Sequence, residues 1–123
     1  MKKTILILAL SLTFGFAHCQ IKEIKMFGST INVIGPNGVK TGSYMLQNND
    51  EKLLGNNSQY FLLQRMRTLL VMNNKGFQYA TKAISLANGN EFVKITEKSI
   101  WIKNGTMIYY YDFNGSILSN FRE

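Results

Sequence analysis

Residues Ile100–Tyr111, with the sequence IWIKNGTMIYYY, decide the fold of this chain. Asn104-Gly105 favours a tight turn, because both residue types tolerate a positive φ. The segments on either side are rich in β-branched and aromatic residues, which is typical of β-strands. The stretch therefore predicts an antiparallel β-hairpin.

Strand alternation divides the side chains of this hairpin between two faces, with Lys103 paired to Thr106 across the turn. One face is apolar and is predicted to pack in the core: Ile100, Ile102, Met107, Tyr109 and Tyr111. The other face mixes aromatic, aliphatic and cationic side chains: Trp101, Lys103, Thr106, Ile108 and Tyr110. Such a mixture is typical of binding surfaces, because Trp and Tyr combine an apolar body with a polar tip. Another segment, such as Phe61–Leu63, could instead cover this face.

The same order of strand and turn recurs along the chain. Thr30–Gly38 aligns with Thr68–Gly76 and with Met107–Gly115, and the three closing glycines lie 38 and 39 residues apart. A spacing near 40 is typical of repeat units that each form one sheet. The pattern indicates a weak internal repeat and predicts an all-β fold, a small antiparallel β-meander or sandwich-like sheet.

The segment Ser58–Met72 leaves two interpretations open. As a helix it would begin at Ser58 and end at Asn73-Asn74, with Leu62, Met66 and Leu69 at helical spacing. As a hairpin it would turn at Gln64–Arg67, although no Gly or Asn lies there to make the turn. Propensity favours the helix, which would make the fold α+β, and the repeat alignment favours strands.

The last third of the chain, Ile100–Gly115, resembles one blade unit of the β-propeller repeat proteins. In those families a short strand, a turn and a strand that ends in Tyr-Asp-x-x-Gly recur around a ring, as Tyr111-Asp112 and Gly115 do here. The resemblance implies a blade-like sheet and carries over no activity. The chain is too short for the four or more blades that close such a ring.

Residues Met1–Cys19 have the layout of a secretory signal peptide: Lys2 and Lys3, then an apolar run, then small residues. Ala17 and Cys19 favour cleavage before Gln20, and cleavage after Ala17 is the alternative. Lipidation of Cys19 would instead anchor the protein. We therefore expect an exported protein that is periplasmic, outer-membrane-associated or secreted, with 20–123 as a single small β-rich domain and no transmembrane span after signal removal.

Composition narrows the chemistry of the exported protein. The net charge of +7 falls to +5 without Lys2 and Lys3, and the remaining cations are scattered, with Arg65 and Arg67 as the tightest pair. This pattern suits a solvated basic surface or an anionic partner surface, and it argues against a nucleic-acid partner. Cleavage before Gln20 removes the only Cys and the only His. No cofactor, metal site or catalytic residue is predicted, because Cys nucleophiles, His-containing triads and His-ligated metals are then excluded.

Three functions remain open. The first is a non-enzymatic envelope or secreted binding module, with an envelope protein among its candidate partners. Its surface would consist of Trp101, Lys103 and Tyr110, with Arg65 and Arg67 close by. The second is a small hydrolase that acts through two facing carboxylates, for which the candidates are Asp50, Glu51, Glu91, Glu97 and Asp112. The third is a structural subunit that adds a sheet edge to a larger envelope assembly.

Overall fold

A computed structural model describes residues 20–47 and 50–122, and their secondary structure consists of strands and turns. The strands are β1 (Glu23–Phe27), β2 (Thr30–Ile34), β3 (Lys40–Met45), β4 (Glu51–Asn56), β5 (Tyr60–Arg65), β6 (Thr68–Asn73), β7 (Ile84–Ser85), β8 (Asn90–Ile95), β9 (Ile100–Asn104), β10 (Met107–Tyr111) and β11 (Ile117–Arg122). The prediction of an all-β fold is confirmed, and the alternative of a helix over 58–72 is wrong. The signal peptide predicted over Met1–Cys19 lies outside the described residues.

The strands form three antiparallel meanders. Sheet 1 contains β1–β3 in that order, sheet 2 contains β4–β7, and sheet 3 contains β8–β11. Each sheet pairs strands that are neighbours in the chain, and most connections are short turns; residues 74–83 form a longer connection between β6 and β7. Within the part of the chain that the structure describes, no helix is long and apolar enough to cross a membrane.

Each sheet contains a hairpin with the same two-residue turn. The turns are Gly28-Ser29 between β1 and β2, Met66-Arg67 between β5 and β6, and Gly105-Thr106 between β9 and β10. The first turn residue has a φ of +60°, +56° and +61° in the three sheets. Positive φ at the first position alone is the pattern of a type II′ turn, which suits the twist of paired strands. Met66 therefore makes a turn for which the sequence offered no Gly or Asn.

The register of the third hairpin differs from the prediction. Lys103 pairs with Ile108, two residues beyond the predicted Thr106. Asn104 stays in its strand because its side-chain amide donates to the Asn88 carbonyl at 3.1 Å and to Asn90 Oδ1 at 2.7 Å. A shift of two residues keeps the side chains of both strands on their predicted faces, whereas Thr106 becomes the second turn residue.

A second turn also recurs, between the last two strands of each sheet. In 35–39, 73–77 and 112–116 the first residue's N–H donates to the fifth residue's carbonyl at 2.8–2.9 Å. The fourth residue is always a glycine with positive φ: Gly38, Gly76 and Gly115. Asn73 Oδ1 and Asp112 Oδ1 each also accept from the backbone N–H groups two and four residues later. The weak repeat seen in the sequence is thus a repeat of backbone structure.

Sheet 2 lies between the other two sheets and contributes to two hydrophobic cores. One core joins sheet 1 to sheet 2: Ile21, Ile31, Val33, Phe61, Leu63, Leu70 and Met72. The other joins sheet 2 to sheet 3 and includes Leu62, Leu69, Val71, Ile84, Ile100 and Ile102. Tyr111 of sheet 3 packs against this second core. Burial on both faces explains why β5 and β6 read as nearly continuous apolar runs, the feature that also allowed a helix.

The two sheet-to-sheet contacts resemble each other. A Cβ on Gly76 would clash with the Ser43 carbonyl oxygen of β3, and one on Gly115 would clash with the Lys82 carbonyl oxygen ahead of β7. In both places the turn of the later sheet rests on the last part of the earlier sheet. The contact between sheets 1 and 2 and the contact between sheets 2 and 3 are therefore of the same kind.

Candidate functional site

The outer face of sheet 3, turned away from sheet 2, carries a cluster of aromatic side chains. Strand pairing places Lys94, Trp101, Tyr110 and Ser119 in one row across β8–β11. The neighbouring row contains Glu91, Lys103, Ile108 and Phe121. We call these two rows the Trp101 face. The structure thus brings together three of the predicted binding residues, Trp101, Lys103 and Tyr110.

The aromatic rings of the Trp101 face contact one another directly. The ring centroids of Trp101 and Tyr110 are 4.8 Å apart, and those of Tyr110 and Phe121 are 5.3 Å apart. Lys94 Nζ lies 3.8 Å from the centroid of the Trp101 ring, a cation–π contact. Trp101 Nε1 donates to Ser99 Oγ at 3.1 Å. The cluster is therefore held in place by its own contacts, as a preorganised binding surface requires.

The exposure of this face differs from that of the equivalent positions in the other sheets. The recurring turns make Ile24, Ile31 and Val33 of sheet 1 equivalent to Leu62, Leu69 and Val71 of sheet 2, and to Trp101, Ile108 and Tyr110 of sheet 3. The first two sets belong to, or pack against, the cores beneath the next sheet. The third set belongs to neither core; Ile108 is buried, whereas Trp101 and Tyr110 are half-buried. Their neighbour Phe121 is 39% exposed.

The two predicted arginines lie away from this face. Arg65 is on the face of β5 that is turned toward sheet 1, where its Nε donates to Glu51 Oε2 at 2.7 Å. Arg67 is the second residue of the β5–β6 turn in sheet 2. The prediction that Arg65 joins Trp101 is therefore wrong, because Arg65 neutralises a buried carboxylate on the opposite side of sheet 2.

That carboxylate, Glu51, is the centre of a polar network between sheets 1 and 2. Its oxygens accept from Tyr44 Oη at 2.9 Å, from the Gln47 amide at 2.6 Å and from Arg65 Nε. Burial opposes ionisation of Glu51, but these hydrogen bonds outweigh burial and lower its pKa. The Glu51 side chain is only 2% exposed. It therefore connects the two sheets as a paired structural ion.

The other candidate carboxylates lie at separate places in the fold. Asp112 caps the turn between β10 and β11, and Glu97 accepts from the backbone N–H and the hydroxyl of Ser58. Glu91 is exposed on β8, and Asp50 precedes β4. Among residues 20–47 and 50–122, no group of three or more His, Cys, Asp or Glu could hold a metal ion. No contact in the described structure joins two of these carboxylates as a catalytic pair.

A second aromatic cluster lies beside the second core. The Tyr60 ring is centred 4.7 Å from the Tyr79 ring and 4.7 Å from the Phe113 ring. A cleft of about 350 Å³ next to it is lined by Gln59, Tyr60, Asn73, Asn74 and Tyr79. Burial and the hydrogen bond with Tyr79 raise the pKa of Tyr60 to about 12. The Tyr60 hydroxyl therefore ionises less readily than that of an unperturbed tyrosine.

The sequence analysis missed the members of the Trp101 face that come from β8 and β11: Glu91, Lys94, Ser119 and Phe121. Lys94 reaches Trp101 only because β8 pairs with β9 after an irregularity between Phe92 and Lys94. Phe121 reaches the cluster through the pairing of Ile108 with Phe121. For Phe121 the sequence did contain a signal. Its alternation with neighbouring residues in the last strand indicates which face of the sheet it occupies.

Comparison with known proteins assigns no family. No protein-family model matches the chain, and no curated protein matches it. One similar solved structure is described as KlHsv2 with loop 6CD replaced by a Gly-Ser linker. The similarity covers 83% of this chain and 39% of that chain, with 12% sequence identity and a TM-score of 0.46. The chain thus spans less than half the length of that structure, and a likeness of this size carries no argument about function.

Proposed function

We propose that this protein is an exported, non-enzymatic binding module that contacts another protein through the Trp101 face. The observation that carries the proposal is the position of Trp101, Ile108 and Tyr110. They occupy the sites that sheets 1 and 2 bury beneath the next sheet, yet they lie outside both described cores. Ile108 is itself buried, but Trp101 and Tyr110 remain partly exposed and no described sheet packs over them. A sheet face of this kind is suited to receive an additional layer.

The chemistry of the face supports a protein partner. Trp and Tyr are enriched among the residues that contribute most to protein–protein binding, because large rigid rings bury much area at low entropic cost. Here the rings extend from β9 to the edge strand β11, and Glu91, Lys94 and Lys103 add charge on β8 and β9. Protein interfaces commonly combine such an aromatic region with neighbouring charged residues.

Site-specific photo-crosslinking in the exporting cell tests the proposal. A benzophenone amino acid replaces Phe121 in one variant and Phe27 in a control. Both are exposed phenylalanines, 39% and 65% respectively, on the outer faces of sheets 3 and 1. We expect irradiation to give an adduct of discrete mass from position 121, with no such adduct from position 27.

A further substitution ties the adduct to the aromatic cluster. Trp101→Ala in the position-121 variant is expected to reduce the adduct yield, because it removes the ring next to both Tyr110 and Phe121. The absence of a discrete adduct from position 121, or the same adducts from both positions, would overturn the proposed function.

A further inference from the structure

We infer that the partner of the Trp101 face is a second copy of this chain, packed face to face about a two-fold axis that runs across the strands. The inference rests on the proposed function, since it names the partner of the same surface. It follows from the polarity of the other open face, from the order of charges on the Trp101 face and from the size of that face.

A head-to-tail stack of copies is disfavoured by the outer face of sheet 1. In sheets 2 and 3 the face turned toward the preceding sheet is apolar: Phe61, Leu63, Leu70 and Met72 in sheet 2, and Ile100 and Ile102 in sheet 3. The equivalent positions in sheet 1 are Glu23, Lys25, Asn32 and Ile34. The side chains of Glu23 and Lys25 are 50% and 52% exposed and form an ion pair of 3.8 Å. Packing the Trp101 face there would desolvate both charges.

Two Trp101 faces can instead pack on each other, which makes the contact isologous and closes it at two copies. The face has one row with Lys94 and Trp101 and a neighbouring row with Glu91 and Lys103. Consider a two-fold axis that is perpendicular to the strands and lies between the two rows. Rotation about this axis places the Trp101 row of one copy over the Lys103 row of the second copy, and the Lys103 row over the Trp101 row. Lys94 then faces the second copy's Glu91, and Trp101 faces the second copy's Lys103. Both contacts are attractive, one as an ion pair and one as a cation–π contact.

The arrangement continues the architecture already present in the chain. Sheets 1, 2 and 3 are joined by face-to-face packing of antiparallel sheets, for which the usual separation is about 10 Å. Ile108 and Tyr110 of the two copies would then form a third core of the same kind. In this core the aromatic rings occupy positions that hold aliphatic side chains in the other two.

The size of the face sets the expected strength of the contact. A sheet of four strands, each five or six residues long, measures about 19 by 18 Å from standard strand spacing. Covering a face of these dimensions buries about 700 Å² summed over both copies, which is below the range of stable specific interfaces and in the range of weak, transient ones. We therefore expect a reversible dimer with a dissociation constant of about 1–100 μM.

Sedimentation equilibrium of the purified protein measures this association directly. Trp101 is the only tryptophan of the chain, so its fluorescence reports on the face itself. We expect the mass to double with rising protein concentration, and the Trp101 emission to shift to shorter wavelength with the same midpoint. Loss of water around the indole ring causes the second change.

Matched variants locate the contact. Phe121→Lys is expected to weaken dimerisation at least tenfold, whereas Phe27→Lys leaves it unchanged, since Phe27 lies on the outer face of sheet 1. Glu91→Lys is expected to weaken it about tenfold by placing like charges together. The double variant Glu91→Lys with Lys94→Glu restores the opposite charges, and we expect a dissociation constant below that of Glu91→Lys alone.

Several outcomes would overturn the inference. One is a protein that stays monomeric up to several hundred micromolar, and another is a dimer that Phe121→Lys does not weaken. A third is a double variant whose dimer dissociates as readily as that of Glu91→Lys. This result would contradict the two-fold axis across the strands. A monomer that still gives a discrete position-121 adduct of another mass in cells would leave the proposed function standing with a different partner. A protein that stays monomeric and gives no adduct would contradict both the proposed function and the proposed dimer.

Discussion

The Leu62 face of sheet 2 and the Trp101 face of sheet 3 have the same backbone and different side chains. Leu62, Leu69 and Val71 are almost completely buried, at 0%, 0% and 1% exposure, beneath the following sheet. At the same positions in sheet 3, Trp101 and Tyr110 are half-buried and only Ile108 is buried. The position in the repeat thus determines which way a side chain points, and the presence of a covering sheet determines which side chain suits it.

This difference in side chains supports the proposed role of the Trp101 face. Aliphatic side chains suit a permanently covered core, where close packing without polar atoms gives the most stable arrangement. Trp and Tyr suit a face that meets water and a partner in turn, because each ring has a polar tip. Lys94 also makes the face compatible with water, because its side chain covers part of the Trp101 ring while its charge remains hydrated.

The largest expected effect comes from shortening equivalent residues on the two faces. Leu62→Ala removes a fully buried side chain between sheets 2 and 3, and we expect the free energy of unfolding to fall by about 3–4 kcal/mol. Trp101→Ala removes a half-buried ring that contacts Tyr110 and Lys94, and we expect a fall of about 1–2 kcal/mol. Urea unfolding at low protein concentration measures both. Equal losses would mean that the Trp101 face is a core of the single chain.

The sequence predicted the strands and faces of this comparison well where turns were explicit. Asn104-Gly105 located the third hairpin, and alternation assigned Trp101 and Ile102 to opposite faces. The second hairpin was ambiguous, because burial on both faces of β5 and β6 removed the alternation and Met66 supplied no turn signal. The alignment of Gly38, Gly76 and Gly115 favoured the hairpin, which the structure confirms, since a turn closed by glycine recurs in each sheet. The resemblance to a propeller blade stays a prediction.

The site was predicted less completely, for a different reason. Trp101 and Tyr110 are neighbours across one hairpin, so local pairing was enough to join them. The placement of Arg65, in contrast, depends on Glu51 and Tyr44, which come from another strand and another sheet. Glu51 reads as a loop carboxylate beside Asp50, and its burial becomes evident only when sheet 1 packs on sheet 2. Contacts between sheets depend on how the sheets pack on each other. The spacing of residues along the chain does not predict this packing.

A change of pH separates the covered contact between sheets 1 and 2 from an exposed ion pair on the outer face of sheet 1. The folded-state pKa of Glu51 lies below its ordinary value of 4.5. The stability that ionised Glu51 contributes is therefore fully present above about pH 4.5 and is lost as the pH falls through the lower, folded-state pKa. We expect Glu51→Gln to reduce the free energy of unfolding at pH 7 by about 2–3 kcal/mol and to flatten its fall in acid.

Urea unfolding between pH 2.5 and 7 measures this dependence. Glu23→Gln is the control, because its partner Lys25 is half-exposed and such surface pairs contribute less than about 1 kcal/mol. The same fall of stability in acid for wild type and Glu51→Gln would show that another group is responsible.

The smallest effect concerns the turn that the three sheets share. Met66 holds a φ of +56° where Gly28 and Gly105 hold +60° and +61°, and its side chain is 70% exposed. A side chain in this region costs about 1–2 kcal/mol, whereas glycine's greater freedom in the unfolded chain costs about 0.4–1 kcal/mol. Because the exposed Met66 side chain has little packing to lose, we expect Met66→Gly to raise the free energy of unfolding by about 0.5–1 kcal/mol.

Gly105→Ala makes the reverse change in the third hairpin. A Cβ there meets nothing within 4 Å, so the expected loss of about 1 kcal/mol arises from the backbone alone. Urea unfolding of both variants against wild type gives the two differences, which should have opposite sign. A destabilising Met66→Gly would mean that the Met66 side chain stabilises its hairpin more than its φ strains it. The three turns would then share their backbone geometry but differ in how their first residue affects stability.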